Sequence, residues 1–254
     1  AWPTEEISLA EISLGIECGG SDATSGIASN PVMGYVSDLL IKLGGTAMFS
    51  ETPEIIGAEH ILAGRCCEPE MGEKLLKICA DLETKLGRVG ERLRSGQPSP
   101  GNKEGGITTL EEKSLGCIYK GGTSAVAEIV EYAESPSRKG LIFMDTPGYD
   151  LLSVTAKVAG GCQLIAFTTG RGNPIGNPIA PVLKITANME TFVHMNDNMD
   201  MDLSPVLRGE MTIEAMGRQV FDEIVRIASG KKTKAEIHGF GFSEVVMRRA
   251  CDYV

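Results

Sequence analysis

The 254-residue sequence predicts an α/β fold, a mainly parallel sheet flanked by helices. Three observations carry that expectation. Short apolar runs, too short for helices, recur at residues 12–16, 46–50, 140–144 and 163–168. Stretches with apolar residues at helical spacing alternate with them, as in Met71, Leu75, Ile78, Leu82 and Leu86. Polar, glycine-rich loops follow several of the runs, as ligand-binding turns do at the carboxyl ends of parallel strands.

Taken in order, residues 7–17 read as the first strand. Pro31 suits the N1 position of a helix that continues over 32–43 and stops at Gly44-Gly45. Residues 46–50 are the second strand, and Pro53 opens a helix that runs through Ala63 to Gly64. Pro69 opens a long amphipathic helix, supported at i,i+4 by Glu70–Lys74, Glu73–Lys77 and Asp81–Lys85. The pattern fails over 88–106, and 96–106 reads as a loop. A helix over 109–119 and a turn at Gly121-Gly122 follow. The later elements are a strand at 140–144, a helix at 149–159, and strands at 163–168 and 182–187. Thr212 caps the last major helix, with the stripe Ile213, Met216, Val220, Ile224 and Ile227, which ends at Gly230. The expected layers are Rossmann-like. One catalytic domain over 1–254 is expected, with two lobes divided near 88–106 as the alternative.

Hydrophobic residues make up 42% and charged residues 23%, as in ordinary globular proteins. The net charge of −10 and the dispersed basic residues argue against nucleic acid and anionic membranes as partners. No apolar run approaches the roughly 20 residues that span a bilayer. With no signal peptide at the opening, a cytoplasmic protein is expected. The seven cysteines (18, 66, 67, 79, 117, 162 and 251) form no CxxC pair, which suits reduced, packing thiols. Cys18 is the one placed for chemistry. Ala1-Trp2-Pro3 runs within a few residues into a strand, as if cut from a longer polypeptide.

Four loops carry candidate chemistry. Glu17-Cys18-Gly19-Gly20-Ser21-Asp22 gathers a thiol, a hydroxyl and two carboxylates around paired glycines where the first strand ends. Ser50-Glu51-Thr52-Pro53-Glu54 follows the second strand, and helical spacing sets Glu59 on an apolar arc with His60 beside it. Such a set suits a divalent metal or an acid/base pair, and a capped helix with solvated acids is the alternative. In the loop 99–106, Asn102 and Lys103 can grip a carboxylate or hydroxyls, or simply sit on the surface. Thr168-Thr169-Gly170-Arg171-Gly172 offers one arginine for bidentate carboxylate capture. Two further motifs are set aside. Asp145-Thr146-Pro147-Gly148 has the Asp-x-x-Gly form of GTPases, but no phosphate-binding Gly-x-x-x-x-Gly-Lys-Ser/Thr occurs. The acidic run 196–202 lacks the glycine and glutamate that an EF-hand loop needs.

Together with 25–31, 50–55, 98–106, 140–149 and 168–172, the Glu17-Cys18-Gly19-Gly20-Ser21-Asp22 motif resembles the large domain of the altronate and galactarate dehydratases. The resemblance runs from about residue 12 to 241, closer to the altronate branch over 45–60 and 139–150, and departs from that branch after Gly241. The large subunit of sulfolactate sulfo-lyase is a relative.

The resemblance implies a hydro-lyase that converts a polyhydroxy sugar acid to a 2-keto-3-deoxy acid with a divalent metal, Fe²⁺ or Mn²⁺. It also implies an upstream domain or a small subunit of the same enzyme as partner; a homo-oligomeric state stays open. Metal or acid/base duty is expected of Glu51, Glu54, His60 and Asp22, with Cys18 as a further metal ligand. Lys103 and Arg171 are expected to hold the substrate carboxylate, Lys103 also counting among the catalytic groups. Thr169, Ser21 and Asn102 are expected to bind hydroxyls. Sulfite elimination from a sulfonated hydroxy acid, or sugar-acid binding without turnover, are the alternatives.

Overall fold

The computed structural model describes residues 5–241; Ala1-Trp2-Pro3 and Cys251 lie outside them. Among the described residues seven strands form one sheet, with every neighbouring pair parallel: β1 (Ser13–Cys18), β2 (Thr46–Ser50), β3 (Val126–Val130), β4 (Gly140–Met144), β5 (Leu164–Thr168), β6 (Val182–Thr186) and β7 (Met201–Asp202). Their order is β3-β4-β2-β1-β5-β6-β7. Strands from both sides of residues 88–106 share this sheet.

The helices are α1 (Asn30–Lys42), α2 (Glu59–Ala63), α3 (Pro69–Arg88), α4 (Leu93–Gly96), α5 (Pro100–Glu104), α6 (Leu110–Ile118), α7 (Asp150–Ala159), α8 (Met189–His194), α9 (Ser204–Leu207), α10 (Ile213–Ala228) and α11 (Lys234–Ile237). Among the described residues none is long and apolar enough to cross a membrane, and the six described cysteines are free thiols.

Side-chain alternation along the strands sorts the core into two layers. Leu14, Ile16, Ala47, Phe49, Leu141 and Phe143 pack with residues of α1, α3 and α10. Met48, Ile142, Met144, Ile165 and Phe167 point the other way and pack with Val154 and Ala156 of α7. With both faces covered, β2, β5 and β6 are buried along their whole length, which is why β2 and β5 read as nearly continuous apolar runs, while β6 buries Lys184 at its centre.

The chain moves from β1 to β2 on one side and later, after β4, crosses to β5 on the other side of β1. The carboxyl ends of β2, β1 and β5 therefore border the crevice where open parallel sheets bind ligands.

The structure moves several expected boundaries. The first strand begins at Ser13, because a 3₁₀ turn at Leu9–Glu11, capped by the Ser8 hydroxyl, precedes it. The helix expected from Pro53 to Ala63 is a 3₁₀ turn at Thr52–Glu54 followed by the short α2; Gly57, at φ 102°, breaks the run between them. Inside the expected loop 96–106, α5 is closed by a capping box between Ser99 and Asn102. On α3, Lys77 pairs with Asp81, and Lys74 reaches across to the Ile129 carbonyl. Strands β3 and β7 and the short helices α4, α8, α9 and α11 are additions to the expected elements.

Candidate active site

Three carboxyl groups meet at the head of the sheet. Glu17 is the penultimate residue of β1, on the face covered by α7. Glu51 follows β2 in the left-handed conformation, φ 79° and ψ 76°, with its N–H donated to Thr146 Oγ1 at 3.0 Å. A non-glycine residue is held there only when its surroundings over-determine it, and such positions cluster at functional sites. Asp150 is the first residue of α7, one helical face with Ser153 and Lys157. One oxygen from each of Glu17, Glu51 and Asp150 lies within 4.8 Å of the others. Gly19 makes the room: a Cβ there would sit 2.2 Å from Asp150 Oδ2.

Buried lysines surround this group. Lys157, fully buried, donates to Glu17 Oε2 and also to Ser50 Oγ at 2.7 Å and Ser153 Oγ at 3.0 Å. Lys120, also fully buried, lies 3.5 Å from Glu51 Oε2. Lys113 pairs with Glu54 at 2.7 Å and donates to Gln97 Oε1 at 2.7 Å and Asn102 Oδ1 at 3.1 Å. An ammonium has three donors, so Lys113 is saturated as a clamp on its neighbours.

The fields divide the acids. Burial pushes Glu17 up, but Lys157, a hydrogen bond from Glu51 and Lys120 together hold it at about 2. Burial and the charges of Glu17 and Glu54 push Glu51 well above the carboxylate range, so it keeps a proton and shares it with Glu17. Asp150 is raised to about 7 by burial, then Glu17 and Glu54. A carboxyl near 7 in a cleft is matched to proton transfer at neutral pH.

The glycine loop after β1 closes over this group. Cys18 Sγ and Ser21 Oγ are hydrogen-bonded at 2.8 Å, and Asn102 Nδ2 donates to the Ser21 carbonyl at 2.9 Å. The cleft beyond, of 450 Å³, is lined by Ser21, Glu54, Asn102, Lys113, Asp150 and Arg171 among others. A second, more apolar groove of 490 Å³ shares Ser21, Glu54 and Lys113 with it and reaches Cys18. The acids belong with the first, because Asp150 opens into it.

Of the residues singled out in the sequence, Glu54, Ser21, Asn102 and Arg171 line the cleft; Glu51 is buried within reach of Asp150, and Cys18 borders the second groove. His60 and Lys103 do not join them: both are exposed, His60 on α2 and Lys103 on α5. Asp22 is occupied in the loop's own architecture. Its carboxylate accepts from Thr24 N at 2.9 Å, Thr24 Oγ1 at 2.6 Å, Ser25 N at 3.2 Å and Asn188 Nδ2 at 2.9 Å. Thr169 Oγ1 likewise accepts from Gly172 N at 3.0 Å. Glu59, expected on an apolar arc, is half-buried, because the helix that would have placed it is broken.

Sequence reasoning counted Glu17 among the carboxylates of the first loop without assigning it a metal or acid/base role, and gave no role to Asp150, Lys113, Lys120 or Lys157. One signal for Glu17 was available, a lone acid at the end of an otherwise apolar strand. Another was Lys157 inside the apolar run of α7.

Glu17, Glu51 and Asp150 fit a divalent cation. Glu51 is neutral because it is buried beside like charges, a penalty that a cation among the three would relieve. The donors are all carboxylate oxygens, the set that hard ions such as Mg²⁺ or Mn²⁺ take.

The family described as "D-galactarate/Altronate dehydratase, C-terminal" matches residues 9–251. Galactarate dehydratase (L-threo-forming) of Escherichia coli is 42% identical over 90% of this chain and 43% of its own length. Altronate dehydratase of Bacillus subtilis is 38% identical over 93% of this chain and 47% of its own. (2R)-Sulfolactate sulfo-lyase subunit beta of Chromohalobacter salexigens is 38% identical over 96% and 63%. The chain thus spans about half the length of the two dehydratases.

Proposed function

Because the chain belongs to the D-galactarate/altronate dehydratase C-terminal family, we propose that it carries the catalytic centre of a metal-dependent sugar-acid hydro-lyase. The reading rests on one observation: an acid triad, Glu17, Glu51 and Asp150, which opens through Asp150 into a polar cleft lined also by Glu54, Asn102 and Arg171, with Glu17 and Glu51 buried behind it. The reaction takes the C2 proton and the C3 hydroxyl from a polyhydroxy acid as one water. The enol that remains ketonises to the 2-keto-3-deoxy acid.

Glu17, Glu51 and Asp150 would hold the cation, Mn²⁺ or Fe²⁺. When bound, it supplies Lewis-acid stabilisation of the charge that develops on the substrate carboxylate. The carboxylate donors favour Mn²⁺, and iron rests on the resemblance alone. The chain's own groups do the rest. Glu54, clamped by Lys113, takes the C2 proton and returns it to the C3 hydroxyl as that group leaves, so one residue serves as base and then acid. Ser21 and Asn102 orient hydroxyls, and Arg171 holds a carboxylate at the mouth.

Charge balance supports the assignment. Four carboxyl groups, Glu17, Glu51, Glu54 and Asp150, face three ammonium groups, Lys113, Lys120 and Lys157. With all four acids ionised, a divalent cation and one substrate carboxylate bring the set to neutrality, as a buried site requires.

The test is 2-keto acid formation by the purified protein with Mn²⁺ or Fe²⁺ added anaerobically, across aldonates, aldarates and sulfolactate. A keto product that needs the metal supports the reading. A folded protein that binds no metal and turns over none of the acids removes it. The similarity to a sulfo-lyase subunit favours a second reading, loss of sulfite from C3, which a sulfite assay in the same panel separates. The greater length of the relatives supports a further domain or small subunit that works with this chain.

A further inference from the structure

The cleft carries cationic groups of opposite character. Lys113 is buried and saturated by Glu54, Gln97 and Asn102, so it has no donor left for a ligand. Arg171 differs. Its backbone is fixed, because Arg171 N donates to the Gly20 carbonyl at 2.9 Å and Gly172 N to Thr169 Oγ1 at 3.0 Å. Its guanidinium reaches across the mouth to α5, where it lies against Gly101; a Cβ on Gly101 would sit 2.2 Å from its Nη1. There Nη1 pairs with Glu104 Oε2 at 3.1 Å, with the arginine side chain 45% and the glutamate 71% exposed.

An ion pair that exposed contributes little, so exchanging its carboxylate for another is cheap. The exchange has direction. Glu104 is a long, solvated side chain that offers one oxygen at this distance. A ligand carboxylate already held in the cleft can meet the planar guanidinium with both oxygens.

We propose that Arg171 and Glu104 read the far end of the substrate: Arg171 receives the distal carboxylate of a dicarboxylic sugar acid, and Glu104 is the internal counter-ion that carboxylate displaces. An aldonate, with a hydroxymethyl group at that end, leaves the Arg171–Glu104 pair closed and gains nothing from it. The proposal rests on the cleft being the sugar-acid site. It extends that reading by making Glu104, a residue outside the reacting groups, the determinant that separates diacids from monoacids.

The experiment is calorimetric binding, which needs no turnover, on the full chain with Mn²⁺ present. The ligands are two matched pairs, galactarate with galactonate and altrarate with altronate, and sulfolactate; the proteins are the parent, Glu104→Gln and Arg171→Gln. The expected result is tighter binding of the diacid in at least one pair. Arg171→Gln should weaken the diacid about tenfold or more, the scale of a charged hydrogen-bonded contact. Glu104→Gln should raise the diacid-to-monoacid affinity ratio about two- to fivefold, the scale of an exposed pair. Equal affinities within both pairs, equal shifts for diacid and monoacid in the variants, tighter binding of sulfolactate than of either diacid, or no binding of any acid overturns the proposal. Diacid selectivity without keto product would instead count against the hydro-lyase reading and leave this one standing.

Discussion

Lys157 Nζ donates to Glu17 Oε2 where α7 crosses the end of β1, with both side chains fully buried. That contact holds Glu17 ionised at about 2 beside Glu51, which burial and its neighbours keep protonated. The site therefore stores one charged and one neutral acid side by side, because Lys157 pairs with Glu17 while burial and the neighbouring acids outweigh Lys120 at Glu51.

Removing the lysine should expose the penalty. Lys157→Met leaves a buried carboxylate without its cation, and the expected loss is about 3–5 kcal/mol in urea denaturation. Adding Glu17→Gln should recover most of it, since the orphaned charge goes too. A loss below about 1 kcal/mol in the single variant would show that Glu17 finds another partner.

Asp150 sets a stability gradient in the metal-free protein. Its carboxyl is raised from 3.8 to about 7, so between those values the folded chain holds a proton that the unfolded chain has lost. This contribution is complete below about pH 4 and disappears as pH rises towards 7. Asp150→Asn, which cannot ionise, should gain about 2–4 kcal/mol over the parent at pH 8 and nothing at pH 4. Urea midpoints across that range check it. Equal gains at both ends would mean that charge is not the cause.

Glu51 is neutral without metal, so glutamine is a near replica. Glu51→Gln should keep stability within about 1 kcal/mol. Metal content, read by elemental analysis, should fall with it, and turnover by about a hundredfold or more. His60, exposed on α2, provides the contrast: His60→Ala should hold the parent's metal content. If His60→Ala loses metal while Glu51→Gln keeps it, the cradle is elsewhere.

Glycine at 19 is required by Asp150. Gly19→Ala would drive a methyl to 2.2 Å from Asp150 Oδ2, and the carboxyl must move. A cost of about 1–3 kcal/mol is expected, with weaker metal binding. Gly87, in α3, has nothing within 4 Å of its would-be Cβ, and Gly87→Ala should stabilise by about 0.5–1 kcal/mol. Thermal melts of the two variants report both signs.

Much of the scaffold was readable along the chain because it is local. The strands at 46–50 and 140–144 fall where the apolar runs place them, and Thr212 caps α10 as its sequence predicts. The stripe of α3 faces inward at Leu75, Leu82 and Leu86. Errors arose where one residue overrides a pattern. Gly57 breaks the helix that would have put Glu59 in the core, and the Ser99–Asn102 capping box makes a helix of an apparent loop. The edge strand β3 has a register shift between Val126 and Glu128, and only two of its residues are apolar and in step with its neighbour's core face, so its period was faint.

The sequence by itself determined the alternation of strands and helices, the polar loops at the strand ends and the family motifs, since each depends on neighbours a few residues apart. The tertiary structure alone decided which charges meet. Glu17, Glu51 and Asp150 are far apart along the chain and converge because β1 and β2 end, and α7 begins, at one edge of the sheet. Lys113 and Lys120 look like ordinary surface lysines until their burial is known, and only Lys157 carries a hint in the apolar run around it. The physical reason is common to both: strand register and helix packing, rather than sequence spacing, set the distances over which charges act, and burial sets how strongly.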